Sequence, residues 1–199
     1  MRFPDRLRLP LTFDPGRLQA DLSALASVEW TAHFVTRNYE GDWSAIALRA
    51  PKGETHPIRM IYADPTAAVF VDTPALQASA YFGEVLAAFQ CPVNSARLMR
   101  LTPGSVIKEH QDHDLCADLG QARIHVPITT HPDVAFEVNR RVVPMLPGEA
   151  WYLRLSDPHR VTNRSDCDRV HLVIDVVVDA WFEAQLVQGS QALAATEAV

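Results

Sequence analysis

The spacing of apolar residues along the chain changes character near position 93. Before it, Leu18, Leu22 and Leu25 recur at helical intervals behind Pro15, which predicts a helix over 15–27. A second helix is predicted over 74–89, with Thr73 as its cap and Pro74 at its first position. Between them, WSAIALRA from Trp43 reads as a strand, and the Pro- and Gly-bearing stretch 51–57 as a turn. Beyond 93 the period falls to two. Strands are expected near 95–101, 106–111, 122–129, 134–138, 142–146, 150–154, 159–163 and 168–178. The breaks carry turn chemistry, among them Pro103-Gly104, Asn139-Arg140, Pro147-Gly148 and Asp157-Pro158. A short helix over 180–188 is expected to close the domain, with a frayed tail after Gly189.

Short strands at this spacing predict an antiparallel sandwich or barrel within a mainly β (α+β) chain. Residues 1–92 would back the barrel, 93–189 form its core and 190–199 a flexible tail, the first two together making one domain. Two strands have unusual polarity. In RIHVPI, Arg123 and His125 share one face, and Ile124, Val126 and Ile128 the other. In RVHLVID, Arg169 and His171 lie opposite Val170, Leu172 and Ile174. The apolar faces suit packing under the N-terminal helices, which leaves Arg and His lining the barrel interior. Such a lining is costly unless an anion or a metal occupies it.

His110 and Asp112 stand two residues apart, so an extended strand points both at one spot. His159 can supply a third ligand from a later strand. Two imidazoles and one carboxylate leave three positions open on a metal, the facial arrangement of non-haem Fe(II) oxygenases. Arg169, ten residues past His159, is placed to take a carboxylate bidentately. An HxD pair alone is a weak signal, and His159 alone reads as a hydrogen-bonded turn histidine. Their order, HxD then His then Arg within a strand-rich segment, gives the set its weight.

Composition narrows the classes further. The chain has 199 residues and a formal net charge of −6, which argues against general nucleic-acid binding. Sixteen of its eighteen basic residues are arginine. The three cysteines, odd in number and far apart, form no disulfide framework and no CxxC site, as in a reducing compartment. No apolar run approaches the roughly 20 residues of a membrane span, and the N-terminus lacks a signal-peptide core. A cytoplasmic protein with no membrane or nucleic-acid partner is the expectation.

The segments RLMRLTPGSVIKEHQDHD, RIHVPITTHPDVAFEV, MLPGEAWYL, HRVTN and RVHLVIDV resemble the aspartyl/asparaginyl β-hydroxylase family of Fe(II)/2-oxoglutarate dioxygenases, near its small bacterial proline cis-hydroxylases. YEGDWSAIALRAPKG extends the likeness upstream. The resemblance implies a double-stranded β-helix (jelly roll, cupin-like) with N-terminal helices packed on one sheet. It implies His110, Asp112 and His159 as iron ligands, Arg169 on the C5 carboxylate of 2-oxoglutarate, and Arg123 with His125 as further co-substrate contacts. Fe(II), 2-oxoglutarate and O2 are the implied cofactors, and succinate and CO2 the co-products of hydroxylation.

The substrate is expected to be a small molecule, a free amino acid or a short peptide. Alternatives are an aspartyl/asparaginyl side chain of a protein, or a metal-binding cupin-like role without oxygenase activity. The loop HDLCADLGQ holds no aromatic residue, so the resemblance does not fix the substrate. Arg97 and Arg100 lie on opposite faces of one strand, and the inward one is a candidate for a substrate carboxylate. Trp151 is a candidate for the core or the substrate wall. His113 and His131 read as solvated turn residues, and Asn163 as a turn closer.

Overall fold

The computed structural model describes residues 1–62, 64 and 66–197. The chain opens with β1 (Arg6–Thr12), α1 (Pro15–Ala24), β2 (Thr31–Ala32), β3 (Tyr39–Glu40) and β4 (Trp43–Pro51). Then come α2 (Pro57–Ile61), β5 (Phe70–Asp72), α3 (Pro74–Gln77) and α4 (Ala80–Ala87). The remainder is strand: β6 (Val93–Leu101), β7 (Val106–His110), β8 (Gln121–Thr129), β9 (Val134–Val138), β10 (Arg141–Val142), β11 (Glu149–Leu153), β12 (His159–Asn163) and β13 (Arg169–Val177). Helix α5 (Ala180–Glu197) follows.

Among the described residues the strands form two antiparallel sheets. The larger runs β1-β11-β8-β13-β6-β4-β2, with β5 on the edge of β4, and the smaller runs β10-β9-β12-β7-β3. This is the jelly roll expected, with helices on the outer face of the larger sheet. Strand β13 lies at its centre and carries the logic of the fold. Val170, Leu172, Ile174 and Val176 face Leu18, Phe82, Val85, Phe182 and Leu186 of the helices in one apolar cluster. Burial of those side chains, each contributing roughly 1.5–3 kcal/mol, fixes the register of the strand. Arg169, His171, Val173 and Asp175 consequently point between the sheets. A second cluster there joins Val173 to Trp43, Met99, Phe136, Leu155 and Val161.

Several elements differ from the sequence expectation. The helix expected over 74–89 is two helices, α3 and α4, split at Ala78 and Ser79. The cap on Thr73 holds, its hydroxyl accepting from the Leu76 N–H. The split has a tertiary cause: Asp21 of α1 accepts from the backbone N–H groups of Tyr81 and Phe82 at 2.8 and 2.9 Å, capping α4 from another helix. The strand expected over 142–146 shrinks to Arg141–Val142, because Pro144 and Pro147 offer no ladder donor. The tail expected to fray after Gly189 continues as α5 to Glu197; residues 198 and 199 lie outside the described residues. Strand β1 was not expected, although Leu7, Leu9 and Leu11 alternate in it. It is an edge strand, where Pro10 costs no ladder bond. No described helix is long and apolar enough to cross a membrane.

Candidate active site

His110 closes β7 and His159 opens β12, and the two are register partners across that antiparallel pair. Their rings lie 4.2 Å apart between centroids. Each Nδ1 meets a backbone carbonyl, that of Lys108 at 2.7 Å for His110 and that of Asp157 at 3.0 Å for His159. A carbonyl only accepts, so both Nδ1 atoms carry hydrogen and Nε2 is in each ring the atom that can ligate a metal. Burial, then the neighbouring His110 ring, pushes the His159 imidazolium down to about 4, which keeps the ring neutral. Past the end of β7, the Asp112 N–H donates to the Leu155 carbonyl at 2.8 Å and folds the carboxylate toward the two rings. One ligand atom from each of His110, Asp112 and His159 lies within 4.8 Å of the others. Two imidazoles with one carboxylate suit Fe(II), and these are the residues that could hold it.

Behind this group a small cavity runs between the sheets, lined by Ile107, His125, Phe136, Leu155, Val161 and Arg169. Its polar walls are unsatisfied. Both ring nitrogens of His125, Nε of Arg169 and Nε2 of His171 are buried with no hydrogen-bond partner among the described residues. Arg169 is 1% exposed, and burial alone pushes its guanidinium down to about 9. His125 and His171 are held well below their usual values, first by burial and then by the Arg169 charge. At neutral pH the inner end of the chamber therefore presents the Arg169 cation and neutral imidazoles, with the Asp112 carboxylate at the metal-ligand end. A carboxylate entering it would answer the orphaned donors.

In front of the metal-ligand group opens a second cavity of about 360 Å³, with Trp43 and Arg123 on the walls of both. His33, Phe34, Arg97, Met99 and Asp175 line it further. His33 stacks on Trp43, centroids 3.5 Å apart and 10° from parallel.

The structure brings together most of the residues singled out from the sequence. His110, Asp112, His159, His125 and Arg169 converge. Arg123 is also present, on the walls of both cavities, with its fork gripping Asp175 and Asp112. Arg97 is the inward arginine, 2% exposed, and bonds Ser95 and Asp175. Arg100 points away, against Ser44 and over the Trp30 ring. Trp151 lines neither cavity, and its indole N–H donates to Glu149. Asn163 ties down the turn after β12 through the carbonyls of Leu101 and Cys167. His113 reaches the rim of the front cavity, while His131 stays in its turn with Asp133.

Three further residues, Asp175, Trp43 and His33, line the front cavity without a local sequence motif to mark them. Asp175 was within reach, since it continues the inward alternation of Arg169 and His171. Trp43 and His33 belong to β4 and the segment before it, which only the order of strands in the sheet brings to the site.

Fold and site together define a double-stranded β-helix with a two-histidine, one-carboxylate facial group beside a cationic chamber. Comparison with known proteins makes this specific: the profile of the aspartyl/asparaginyl β-hydroxylase family matches residues 16–178, and the chain belongs to that family. It is 29% identical over 177 residues to the L-proline cis-4-hydroxylase of Rhizobium meliloti, a match covering 87% of this chain and 61% of that protein. The chain thus spans about three fifths of that relative's length. An oxidoreductase of the 2OG-Fe(II) oxygenase family from Burkholderia pseudomallei shares the fold, with a TM-score of 0.53 at 15% identity over 86% of this chain and 85% of its own.

Proposed function

We propose that this protein is an Fe(II)/2-oxoglutarate-dependent dioxygenase that hydroxylates an unactivated carbon of a free amino acid or short peptide. One observation carries the reading: the buried guanidinium of Arg169, with no carboxylate partner among the described residues, stands in a chamber that ends at His110, Asp112 and His159. A dicarboxylate co-substrate with one end on the metal and the other on Arg169 fits that layout. Bound there, Fe(II) would supply the oxidative decarboxylation of 2-oxoglutarate by O2, giving succinate and CO2 as one oxygen atom enters a C–H bond of the substrate.

The residues of the chain have separate tasks in this scheme. His110, Asp112 and His159 would hold the metal. Arg169 fixes the distal carboxylate, and His125 offers a donor within the same chamber. Ile107, Phe136, Leu155 and Val161 keep that chamber apolar, which strengthens the charge pairing and excludes water. The front cavity receives the substrate. Arg97, Arg123, Trp43 and His33 form its wall beside the metal, and Phe34 and Tyr62 provide the aromatic surface that the 113–121 loop lacks.

The test is incubation of the protein with Fe(II), 2-oxoglutarate and a panel of free amino acids, L-proline first. Succinate release together with a gain of one oxygen in one amino acid is expected. No succinate above background, even uncoupled, and no absorption band on adding 2-oxoglutarate to the anaerobic Fe(II) protein would overturn the proposal.

A further inference from the structure

Asp175 is the carboxylate on the inward face of β13, and it is held from three sides. Arg123, its register partner on β8, meets it side-on, with Nε on Oδ1 at 2.6 Å and one terminal amine on Oδ2 at 3.0 Å. Arg97 of β6 donates to Oδ2 at 2.8 Å, and so does the Ser95 hydroxyl. Ser95 in turn accepts from the other amine of Arg97 at 2.9 Å. The remaining amine of Arg123 donates to Oδ2 of Asp112 at 3.1 Å. A guanidinium is planar and rigid. Once Nε and one terminal amine are fixed on Asp175, the direction of the last amine is fixed as well. The carboxylate of Asp112 is therefore oriented by a chain of contacts anchored in three neighbouring strands of the larger sheet.

We propose that Asp175 is a positioning residue for the metal site. It holds Arg123 so that one oxygen of Asp112 stays occupied and the other is presented to the metal. The inference rests on the metal reading above and deepens it. Two effects act in the same direction. With one oxygen of Asp112 held by Arg123, the carboxylate would offer a metal its other oxygen. Asp175 also balances one of two buried guanidinium charges beside the site where a divalent cation would bind. Its loss would leave both arginines facing that cation in a low-dielectric wall.

The test uses Co(II) alone as probe, titrated into the parent chain, Asp175→Asn, Arg123→Lys and the double variant. Visible bands follow binding, while circular dichroism and melting follow the fold. The Co(II) Kd is expected to rise roughly 10- to 100-fold in each single variant, with an altered band pattern. The double variant should bind no more weakly than the weaker single one, because both changes act through one contact to Asp112. A folded Asp175→Asn protein with a Kd within twofold of the parent overturns the proposal, as do strictly additive losses. Should Asp175→Asn not fold, Asp175→Glu displaces the carboxylate while keeping its charge. A severalfold rise in Kd then supports the proposal, and a Kd within twofold of the parent overturns it. A parent chain that binds no Co(II) overturns the metal reading and this inference with it. Equal binding by parent and variants overturns this inference alone.

Discussion

Arg169 and His171, two residues apart on the inward face of β13, are bonded to each other, guanidinium amine to Nδ1 at 2.8 Å. The guanidinium can only donate, so Nδ1 accepts and the His171 ring carries its hydrogen on Nε2. That atom and Nε of Arg169 are both buried and, among the described residues, without a partner. The contrast with the two inward arginines nearby is the informative part. Arg97 and Arg123 share Asp175, whereas Arg169 has only a neutral ring and the face of Phe136, 5.6 Å from its guanidinium carbon.

A buried cation in that state weakens the fold and binds an anion strongly, so Arg169→Met should separate the two effects. Burial lowers the folded pKa of Arg169 from 12.5 to about 9. The charged form therefore penalises the fold, and the penalty is present below about pH 9. At neutral pH, Arg169→Met is expected to melt no lower than the parent when ligand-free. With Mn(II) present, 2-oxoglutarate at a hundred times its Kd should stabilise the parent by about 2.7 kcal/mol, roughly 5–10 °C for a chain of this length. The variant should show no such shift. A parent-like shift in Arg169→Met would remove Arg169 from the co-substrate site.

Acid should unfold the metal-free chain through its buried histidines. Burial is the main cause in each, pushing His33 down to about 3 and His159 to about 4, with His125 and His171 well below their usual values. Their folded pKa values lie below the unfolded value near 6.5, so the unfolded chain takes up protons first as pH falls. Stability is full above about pH 6.5 and is lost toward pH 4. Asp175, held below the usual carboxylate range by Arg123 and Arg97 against the opposing effect of burial, extends the loss to lower pH. The urea midpoint should therefore fall steadily from pH 7 to pH 4. His33→Phe keeps a ring stacked on Trp43 and should flatten the slope by up to about 1.4 kcal/mol per pH unit. A midpoint that does not move over this range contradicts the prediction.

Local spacing made much of this site legible. Alternation along β8 and β13 put Arg123, His125, Arg169 and His171 on interior faces, and the HxD pair is itself a statement of strand geometry. Other features depend on contacts that local spacing does not encode. The helical pattern over 74–89 is unbroken in the sequence, and the split comes from a carboxylate on α1. Arg123 occupies the expected face, yet local spacing does not show that one fork serves both Asp175 and Asp112. His33 reaches the cavity because β4 lies beside β6, an order of strands that no single segment reveals.

Arg97 and Arg100 should respond very differently to the same substitution. Arg97 lies in the wall of the front cavity and bonds Asp175, so Arg97→Leu removes a buried charge partner beside the metal-ligand group. Its kcat/KM for the hydroxylated substrate should fall at least tenfold, about 1.4 kcal/mol or more. Arg100 is part of the outer surface near Asp42 and Asp168, and exposed pairs of this kind contribute about 0–1 kcal/mol. Arg100→Leu and Trp151→Phe should both keep KM and kcat within twofold of the parent. A tenfold change in KM for Arg100→Leu would mean that the outward face takes part in binding.

Gly189 illustrates a glycine whose role the sequence disguises. Following a helical stretch, it reads as a stop, yet α5 runs through it to Glu197. In an open helix, Gly→Ala gains roughly 1 kcal/mol through propensity alone. Here α5 lies against β1, and a Cβ at position 189 would sit 2.7 Å from the Arg8 carbonyl oxygen and 3.6 Å from Cβ of Leu7. The first contact is with backbone, which no side-chain rotation relieves. Overpacking of this kind costs about 1–3 kcal/mol and should outweigh the propensity gain. Gly189→Ala is therefore expected to lower the melting temperature by several degrees, whereas Gly83→Ala in α4, with open space around its Cβ, should raise it slightly. Thermal melts of the two variants decide the matter: a rise for both would mean that α5 does not approach β1 this closely in solution.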